Sequence, residues 1–465
     1  MRRLGTLIIA LIVGCSGSTD DGTSGDGAQP LTRDELLDPE SCKACHQAHY
    51  DEWSGSMHAY ASLDPVFLAM NARGQRETGG ELGDFCVQCH APMALRLGLT
   101  TDGLNLHEVP AYAQGITCYF CHTVEAVDGA HNNPLVLSDD LVMRGGYANP
   151  VENTAHASAY SSLLDREHID SASLCGSCHD IVTPKGVHLE RTYAEWQDSL
   201  FSHEVEDEQQ TCGNCHMPGR DDTAAEYDGV FVRRVHNHQM PGVDVALTPF
   251  PQMDEQLNLV QRALNTTVVP ELCVVNDDDG EGVLAMGTTI TVTLENQAAG
   301  HSWPSGAAPD RRAWVEVIAY DADDNVLYAS GVVDEGTPVA AIDDEDLWEL
   351  RDFTYDEEGL PAHFFWEVDS VFSTTLPAPT AQSPLDPDFI DVHRSRMYRY
   401  DGPLPARVTL RVNIRPIGLD ILQALVDSGD LDPMFVDAMP TFTLGFTELT
   451  WTPDAGGPCV PATSQ

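Results

Sequence analysis

The sequence predicts a multidomain protein in which a mainly α-helical or irregular, cysteine-rich part precedes an all-β domain of the immunoglobulin-like sandwich class. The chain has 465 residues, which is more than a single hydrophobic core usually stabilises, and 42% of them are hydrophobic. Ten of its 13 cysteines fall in five Cys-x-x-Cys-His motifs within residues 42–216. No such motif follows residue 216, and from residue 273 onward apolar residues alternate with polar ones as in half-buried strands.

The first fifteen residues have the features of an export signal. Two arginines precede the apolar run 4–13, which is too short to span a bilayer and ends in Gly14-Cys15. A small residue before a cysteine resembles the cleavage box of bacterial lipoproteins; the alternative is an ordinary signal peptide with an incidental cysteine. We interpret residues 1–15 as a lipoprotein signal peptide lipidated at Cys15, and the Ser- and Gly-rich residues 16–40 as a flexible linker. The expected location is the bacterial cell envelope, periplasmic or at the outer membrane or cell surface, where disulfides are permitted.

The five motifs predict five covalently attached haem c groups. In Cys-x-x-Cys-His the two thiols add across the haem vinyl groups, and the adjacent histidine becomes the proximal iron ligand. Zinc ribbons do not need the following histidine, and one redox dithiol would not recur five times. The predicted thioether cysteines are Cys42, Cys45, Cys86, Cys89, Cys118, Cys121, Cys175, Cys178, Cys212 and Cys215. The predicted proximal ligands are His46, His90, His122, His179 and His216.

A sequence repeat follows the first and fourth motifs. Residues 50–58 and 193–203 both contain Tyr-x-Glu-Trp-x-x-Ser and end in a histidine. The repeat predicts a duplicated unit, in which a helix packs aromatic side chains on one haem and directs a histidine to another iron. The alternative is an aromatic packing helix with a surface histidine.

Two of the motifs carry a family resemblance. Residues 42–59 match Cys-x-x-Cys-His-x-x-x-Tyr-x-x-Trp-x-x-Ser-x-His-Ala, and residues 212–218 read Cys-Gly-Asn-Cys-His-Met-Pro. Both resemble multihaem c-type cytochromes related to the tetrahaem electron acceptor of hydroxylamine oxidoreductase. The resemblance implies that His58 is an axial ligand. It also implies a ligand some ten residues after a central motif, which His131 matches approximately, and one shortly before a later motif, for which His168 is the candidate. With one motif more than the tetrahaem relative, the cysteine-rich part is expected to be a pentahaem cytochrome c domain over residues 41–245.

The second axial ligands are expected from histidines outside the motifs. The distal candidates are His58, His131, His156, His168, His203, His236, His238 and His301. His156 is predicted at the start of an amphipathic helix, and Met240 is an alternative to His236 or His238. His301 lies in a Gly-His-x-x-Pro-Ser-Gly loop that resembles one in C-terminal modules of larger multihaem cytochromes; it either faces a haem or bonds backbone at the domain interface. We interpret the remaining histidines of this region as structural: His49, His107 and His188.

Residues 246–272 are predicted to connect the two parts. They contain a helix over 252–263 with Leu257, Val260 and Leu264 on one face. Residues 273–460 are predicted to form the β-sandwich, because alternating runs are separated by turns rich in Gly, Pro and Asp. The predicted strands are 288–294, 313–320, 326–331, 406–412 and 441–444, with a helix over 419–428.

Two cysteines flank the β module. In an oxidising compartment we interpret Cys273 and Cys459 as a disulfide, the alternative being two buried or free thiols. The acidic run 276–281 does not have the length of an EF-hand loop and is interpreted as a turn.

The net charge and the motifs limit the classes of function that the protein can have. With 24 Lys+Arg against 73 Asp+Glu, the net charge of -49 excludes nucleic acid and electrostatic binding to anionic lipid; contact with a membrane is expected through the lipid anchor only. The expected partners are redox proteins with basic docking surfaces, and the oligomeric state is not predicted. The expected function is electron transfer along closely packed bis-His haems, so the protein is interpreted as a carrier. One alternative is a multihaem reductase or oxidase of small nitrogen or sulfur compounds with one open five-coordinate haem; a structural filament is another.

Overall fold

A computed structural model describes residues 29–203, 209–276 and 287–461. The predicted lipidation site Cys15 lies outside these residues, as does the acidic run from residue 277 onward. Within the described ranges, no helix has both the length and the apolar character needed to cross a bilayer.

The cysteine-rich part is built from short elements joined by long loops. Its described α-helices are α1 (Arg33–Leu37), α2 (Pro39–Lys43), α3 (Gln47–Ser54), α4 (Met57–Tyr60), α5 (Pro65–Glu77), α6 (Val87–His90), α7 (Pro92–Arg96), α8 (Cys118–His122), α9 (Ser171–Gly176), α10 (Thr192–Asp198) and α11 (Cys212–His216). Single 3-10 turns lie at Leu106–Glu108, Ala111–Ala113, Ser162–Leu164 and Leu200–Ser202. The strands among the described residues of this part form pairs: β1 (Val124–Val127) with β2 (Leu135–Leu137), β3 (Val142–Gly145) with β4 (Ala157–Tyr160), β5 (Ile181–Val182) with β6 (His188–Glu190), and β7 (Gly219–Asp222) with β8 (Arg233–His236).

The first helix lies inside the predicted linker 16–40. Thr32 and Glu35 form a capping box, in which the Glu35 side chain accepts from the Thr32 backbone N–H at 2.8 Å. Leu36 and Leu37 are only 3% and 5% exposed and belong to the core of the cysteine-rich part. The predicted linker was therefore too long, because the chain is already packed at this helix.

One helix connects the two parts. It is α12 (Met253–Asn265), and its buried side chains are Gln256, Val260 and Leu264. Leu257, which was predicted to face inward, is 37% exposed. Gln256 takes the inward position because its side-chain oxygen accepts from the backbone N–H of Ala246 at 2.8 Å, so its polar group is satisfied where it is buried.

The C-terminal part contains two antiparallel sheets. Its strands are β9 (Val268–Asn276), β10 (Gly287–Asn296), β11 (Arg312–Tyr320), β12 (Val326–Ser330), β13 (Trp348–Leu350), β14 (Asp352–Tyr355), β15 (Ser370–Ser373), β16 (Arg394–Asp401), β17 (Arg407–Arg415), β18 (Phe442–Thr443), β19 (Leu449–Trp451) and β20 (Cys459–Pro461). One sheet has the order β16-β10-β9-β20; the other has the order β12-β11-β17-β18, with β13 beside β11 and β19 beside β17. Strands β14 and β15 form a separate hairpin. The helices here are α13 (Leu419–Asp427) and α14 (Met434–Ala438), and 3-10 turns lie at Val339–Ala341 and Gly445–Thr447.

The two sheets share one hydrophobic core. Alternate residues of β10, such as Ile290 and Val292, are fully buried in the same cluster as Val315 and Val317 of β11. The period-two alternation therefore identified the buried face of these strands. The first strand begins at Val268, five residues before the predicted boundary, and an immunoglobulin-like topology stays a prediction.

A disulfide joins the ends of this domain. Cys273 of β9 and Cys459 of β20 are paired residues of the antiparallel ladder, and their sulfurs are 2.11 Å apart. The bridge closes a loop across a sequence separation of 186 residues. Such a long closed loop restricts the unfolded chain strongly.

We expect the double variant Cys273→Ala/Cys459→Ala to lower the free energy of unfolding of the β domain by about 2–5 kcal/mol. Urea unfolding followed by far-UV circular dichroism measures this difference. The control is the reductant dithiothreitol, which should destabilise the wild type and leave the double variant unchanged. A double variant as stable as the oxidised wild type would contradict the expectation.

The two parts contact each other along α5 and α13. Val66 and Ala69 of α5 share a buried cluster with Leu422 of α13. At the edge of this contact the Arg76 guanidinium donates two hydrogen bonds to the Asp430 carboxylate, at 2.5 and 2.6 Å. This packing brings loops of the β domain against the cysteine-rich part.

Candidate haem sites

Each of the five motifs forms a single helical turn. The backbone N–H of the motif histidine donates to the carbonyl of the first motif cysteine, at 2.8 Å between His46 and Cys42 and at 3.1 Å between His179 and Cys175. Positions three and four residues apart lie on one helix face, so both cysteines and the histidine point to the same side. Two cysteine sulfurs and one imidazole on a common face are the donor set that covalent haem attachment requires.

The motif histidines are kept neutral. Burial lowers the pKa of all five, chiefly through loss of hydration, and the pKa of His179 falls to about 4. The other four are His46, His90, His122 and His216. A neutral imidazole is the form that binds a metal, since one ring nitrogen keeps its lone pair.

Hydrogen bonds decide which nitrogen keeps that lone pair. In four motifs Nδ1–H of the histidine donates to a backbone carbonyl: to Ala224 at 2.7 Å from His46, to Ala61 at 3.2 Å from His90, to Arg144 at 2.6 Å from His122, and to Pro241 at 2.7 Å from His216. Because a carbonyl can only accept, Nδ1 carries the proton and Nε2 is left to bind iron. Metal-binding histidines in proteins commonly have such an outer hydrogen bond.

Four motif histidines face a second histidine ring at nearly the same separation. The ring centres are 6.3 Å apart for His46 and His156, 6.4 Å for His122 and His238, 6.4 Å for His216 and His301, and 6.2 Å for His179 and His58. With metal–nitrogen bonds of about 2.0–2.1 Å and about 1.1 Å more to each ring centre, two imidazoles on opposite sides of one iron have centres roughly 6.3 Å apart. The four pairs therefore fit six-coordinate haem iron.

The facing histidines have the same hydrogen-bond pattern as the motif histidines. Nδ1–H donates to the carbonyl of Ala157 at 3.1 Å from His156, of His236 at 2.9 Å from His238, and of Ser302 at 2.8 Å from His301. Nδ1 of His58 is buried without a hydrogen-bond partner among the described residues, and burial lowers the pKa of His58 to about 4. In the three bonded rings, Nε2 is again the nitrogen left for a metal.

The second motif differs from the other four. His90 has the Phe67 ring stacked on its face, with ring centres 4.1 Å apart and ring planes 3° from parallel. Phe67 is only 7% exposed. In the ranges that the structure describes, no histidine ring is paired with His90. The residues around this motif therefore fit a haem with one histidine ligand.

Contacts between cysteines show how the motifs are arranged. Cysteine side chains of different motifs interact with each other: Cys42 with Cys118, Cys89 with Cys178, and Cys175 with Cys212. Cys121 interacts electrostatically with Cys175 and Cys178. The first motif is thus next to the third, the third next to the fourth, and the fourth next to both the second and the fifth. No motif is isolated from the others.

Two ligands suggested by the family resemblance are not paired with a motif histidine. His131 is exposed in the turn between β1 and β2, where its ring contacts His188. His168 is exposed just before α9, and its Nδ1 accepts from the backbone N–H of Asp170 at 3.2 Å. Their distance along the sequence from a motif resembles the family pattern, but neither ring is paired with a motif histidine; the backbone N–H of Asn133, two residues after His131, donates to the carbonyl of Ser177 in the fourth motif at 2.6 Å.

Two further candidates are also unpaired. His203 ends the 3-10 turn after α10 and has no ring partner in the described part of the chain. His236 supplies its backbone carbonyl to His238, and it is the His238 ring, rather than His236 or Met240, that faces His122. The helix predicted at His156 is absent: a turn capped by the Asn153 side chain is followed by strand β4.

Some residues of the site were not predicted from sequence. Phe67 has no motif that marks it. Glu52 and Glu195 were visible as the shared glutamate of the Tyr-x-Glu-Trp repeat, but only the structure shows that both contact segments that carry a facing histidine. The repeat was the signal that could have identified them.

Two comparisons relate the chain to known proteins. The family model described as cytochrome c554 and c-prime matches residues 41–123. The crystal structure of a penta-heme cytochrome c552 from Thermochromatium tepidum resembles the chain with a TM-score of 0.57 and 21% identity, over 88% of this chain and 98% of that one. No curated protein matches the chain. The family match covers the first three Cys-x-x-Cys-His motifs, and the structural likeness shows a shared fold.

Proposed function

We propose that this protein is a pentahaem c-type cytochrome that carries electrons, with four of its haems held by two histidines each. The observation that carries the proposal is the set of four histidine pairs with ring centres 6.2–6.4 Å apart. Haem iron, when bound, supplies reversible one-electron chemistry whose potential depends on its axial ligands. The distal ligands in this proposal are His58, His156, His238 and His301.

The protein residues favour a carrier at these four positions. With haem bound, a second histidine ligand at each of these positions would leave no coordination position free for a substrate. Hydrogen bonds from Nδ1 to rigid backbone carbonyls fix the ring orientation, so oxidation and reduction need little movement of His156, His238 or His301. The neighbouring arrangement of all five motifs supports transfer from one to the next.

The environment of His90 favours a second candidate function. A haem at this motif would have one histidine ligand from the described residues, which leaves its other side open to a small molecule. This is the arrangement expected of a multihaem reductase or oxidase of small nitrogen or sulfur compounds. Phe67 and the Ala61 carbonyl hold the His90 ring from the protein side.

Location and partners are proposed from the sequence. Export follows from the N-terminal signal, and attachment to the cell envelope follows from lipidation at Cys15. A net charge of -49 favours redox partners with basic docking surfaces.

The first test is haem content and iron spin state. We expect the mass of the purified protein to show five covalent haems, one for each motif. Low-temperature EPR and magnetic circular dichroism of the oxidised protein should show four low-spin bis-histidine haems, one for each ring pair, and one high-spin haem. Fewer than four low-spin bis-histidine haems would contradict the carrier proposal.

The same sample separates the two candidate functions. If the protein is a carrier only, the reduced form should not be reoxidised by nitrite or hydroxylamine, even where one haem is high-spin. Turnover with either compound, blocked by cyanide at the high-spin haem, would favour the enzyme.

A further inference from the structure

The repeated Tyr-x-Glu-Trp helices make equivalent contacts in the two halves of the cysteine-rich part. The first repeat lies on α3 and the second on α10. In each helix the tryptophan and the glutamate contact a different segment of the chain, and neither segment belongs to the motif that the helix follows.

The tryptophans contact the start of a neighbouring motif. The indole N–H of Trp53 donates to the carbonyl of Ile116 at 2.7 Å, and that of Trp196 donates to the carbonyl of Gln210 at 2.9 Å. Both acceptors lie two residues before the first cysteine of a motif, the third and the fifth. Each indole therefore anchors the segment that leads into a proximal histidine.

The glutamate of the second repeat holds the His301 loop. The Glu195 carboxylate accepts from the backbone N–H of Ser302 at 3.2 Å and from the hydroxyl of Ser305 at 2.6 Å. Thr192, at the start of the same helix, accepts from the backbone N–H of Gly306 at 2.9 Å. The loop belongs to the β domain, so these bonds join its distal histidine to the helix that anchors the fifth motif.

The glutamate of the first repeat makes the corresponding contact. Oε2 of Glu52 accepts from the backbone N–H of His238 at 3.0 Å, and the other carboxylate oxygen accepts from Arg220 of β7. The Glu52 side chain is only 14% exposed. His238 faces His122 of the third motif, whose entry segment is the one held by Trp53.

We propose that Glu52 and Glu195 are positioning residues that keep a distal histidine at bonding distance from the iron of the neighbouring haem. Each repeat helix acts as a clamp on one haem site. Its tryptophan bonds to the segment that leads into the proximal histidine, and its glutamate bonds to the loop that carries the distal histidine. His238 and His301 lie in irregular loops, which have no sheet or helix to hold them. Hydrogen bonds to a carboxylate are among the stronger ones in proteins, and here they supply that restraint. The inference rests on the distal ligands proposed above.

The test uses the haem-loaded full-length protein with Glu195→Ala. Loss of the carboxylate should raise, by at least about tenfold, the fraction of molecules in which the fifth haem lacks its distal histidine ligand. The readouts are a new high-spin ferric EPR signal and carbon monoxide binding to one more haem per chain after reduction. Glu195→Gln keeps an oxygen acceptor and should restore most of the wild-type spectrum. The matched control is Asp198→Ala, an exposed acid on the same helix.

A reference variant separates failure of the clamp from failure of the ligand assignment. His301→Ala should leave the fifth haem without a distal histidine ligand in every molecule. If His301→Ala leaves the spectrum unchanged, the proposed ligand is wrong; if it opens the haem and Glu195→Ala does not, the clamp is wrong. If the Glu195→Ala protein does not assemble five haems, the same comparison is made at the first repeat. There Glu52→Ala is the test variant, His238→Ala is the reference and Asp51→Ala is the control.

Discussion

Replacing His58 by methionine is expected to raise the midpoint potential of one haem by on the order of 0.1 V, a fraction of the roughly 0.8 V range over which axial ligands tune haem. A thioether stabilises ferric iron less than an imidazole does, so reduction becomes easier. The His58 ring faces His179 of the fourth motif, at 6.2 Å between ring centres. Its Nδ1 has no hydrogen-bond partner in the described residues, so the substitution breaks no bond of the protein there.

The effect on electron transfer should be larger than the effect on one potential. The fourth motif contacts the second, third and fifth, through Cys175 and Cys178. An electron stabilised by 0.1 V, about 2.3 kcal/mol, would stay at this junction, so passage to its neighbours should slow by roughly 50-fold where it is limiting.

Spectroelectrochemical titration and stopped-flow oxidation of the reduced protein measure the two quantities. The control is His131→Met, because His131 is an exposed histidine whose ring is paired with His188 and with no motif histidine among the described residues. Equal potentials and rates in His58→Met and wild type would show that His58 is not a ligand.

The motifs and the distal ligands were not equally predictable from sequence. A Cys-x-x-Cys-His motif is local: one helical turn brings its three donors to one side, as between Cys42 and His46. The facing histidine is set by tertiary structure, because His156 and His238 reach their partners only after the chain has folded back on itself. Sequence could therefore name a set of candidates but could not choose between His236 and His238.

The same distinction applies to the rest of the fold. Alternation along β10 and β11 predicted their buried faces, since the side-chain period of a strand is fixed by the backbone. The inward face of α12 was predicted wrongly at Leu257, because a buried glutamine bonded to backbone is not apparent from hydrophobic periodicity. The role of His301 depends on contact between the two parts; the Gly-His-x-x-Pro-Ser-Gly loop marked this residue but could not decide between a haem-facing role and a bond to backbone.

The second large effect is expected from Asp420→Ala, which should lower the free energy of unfolding of the β domain by about 3–5 kcal/mol. Arg312 is 1% exposed, and its guanidinium donates to both carboxylate oxygens of Asp420, at 3.1 Å from Nε and 2.5 Å from Nη2. Its remaining donor, Nη1, binds the carbonyls of Pro309 and Arg311 at 2.9 Å each. Removing the carboxylate would leave the buried guanidinium with backbone carbonyls as its hydrogen-bond acceptors.

Two measurements distinguish this loss from a packing defect. The double variant Arg312→Met/Asp420→Leu removes both charges and should recover most of the stability in urea unfolding, since a buried ion pair can be replaced by apolar side chains at little cost.

The second measurement is the pH dependence of the free energy of unfolding. Burial alone would raise the pKa of Asp420, but the charge and hydrogen bonds of Arg312 outweigh it and the pKa is lowered. A lowered folded-state pKa gives stability that is present above the unfolded value of about 3.9 and is lost as the pH falls through the folded value. The stability difference between wild type and Asp420→Asn should thus be full at neutral pH and shrink only in acid; a difference that did not change with pH would mean that the carboxylate charge contributes nothing.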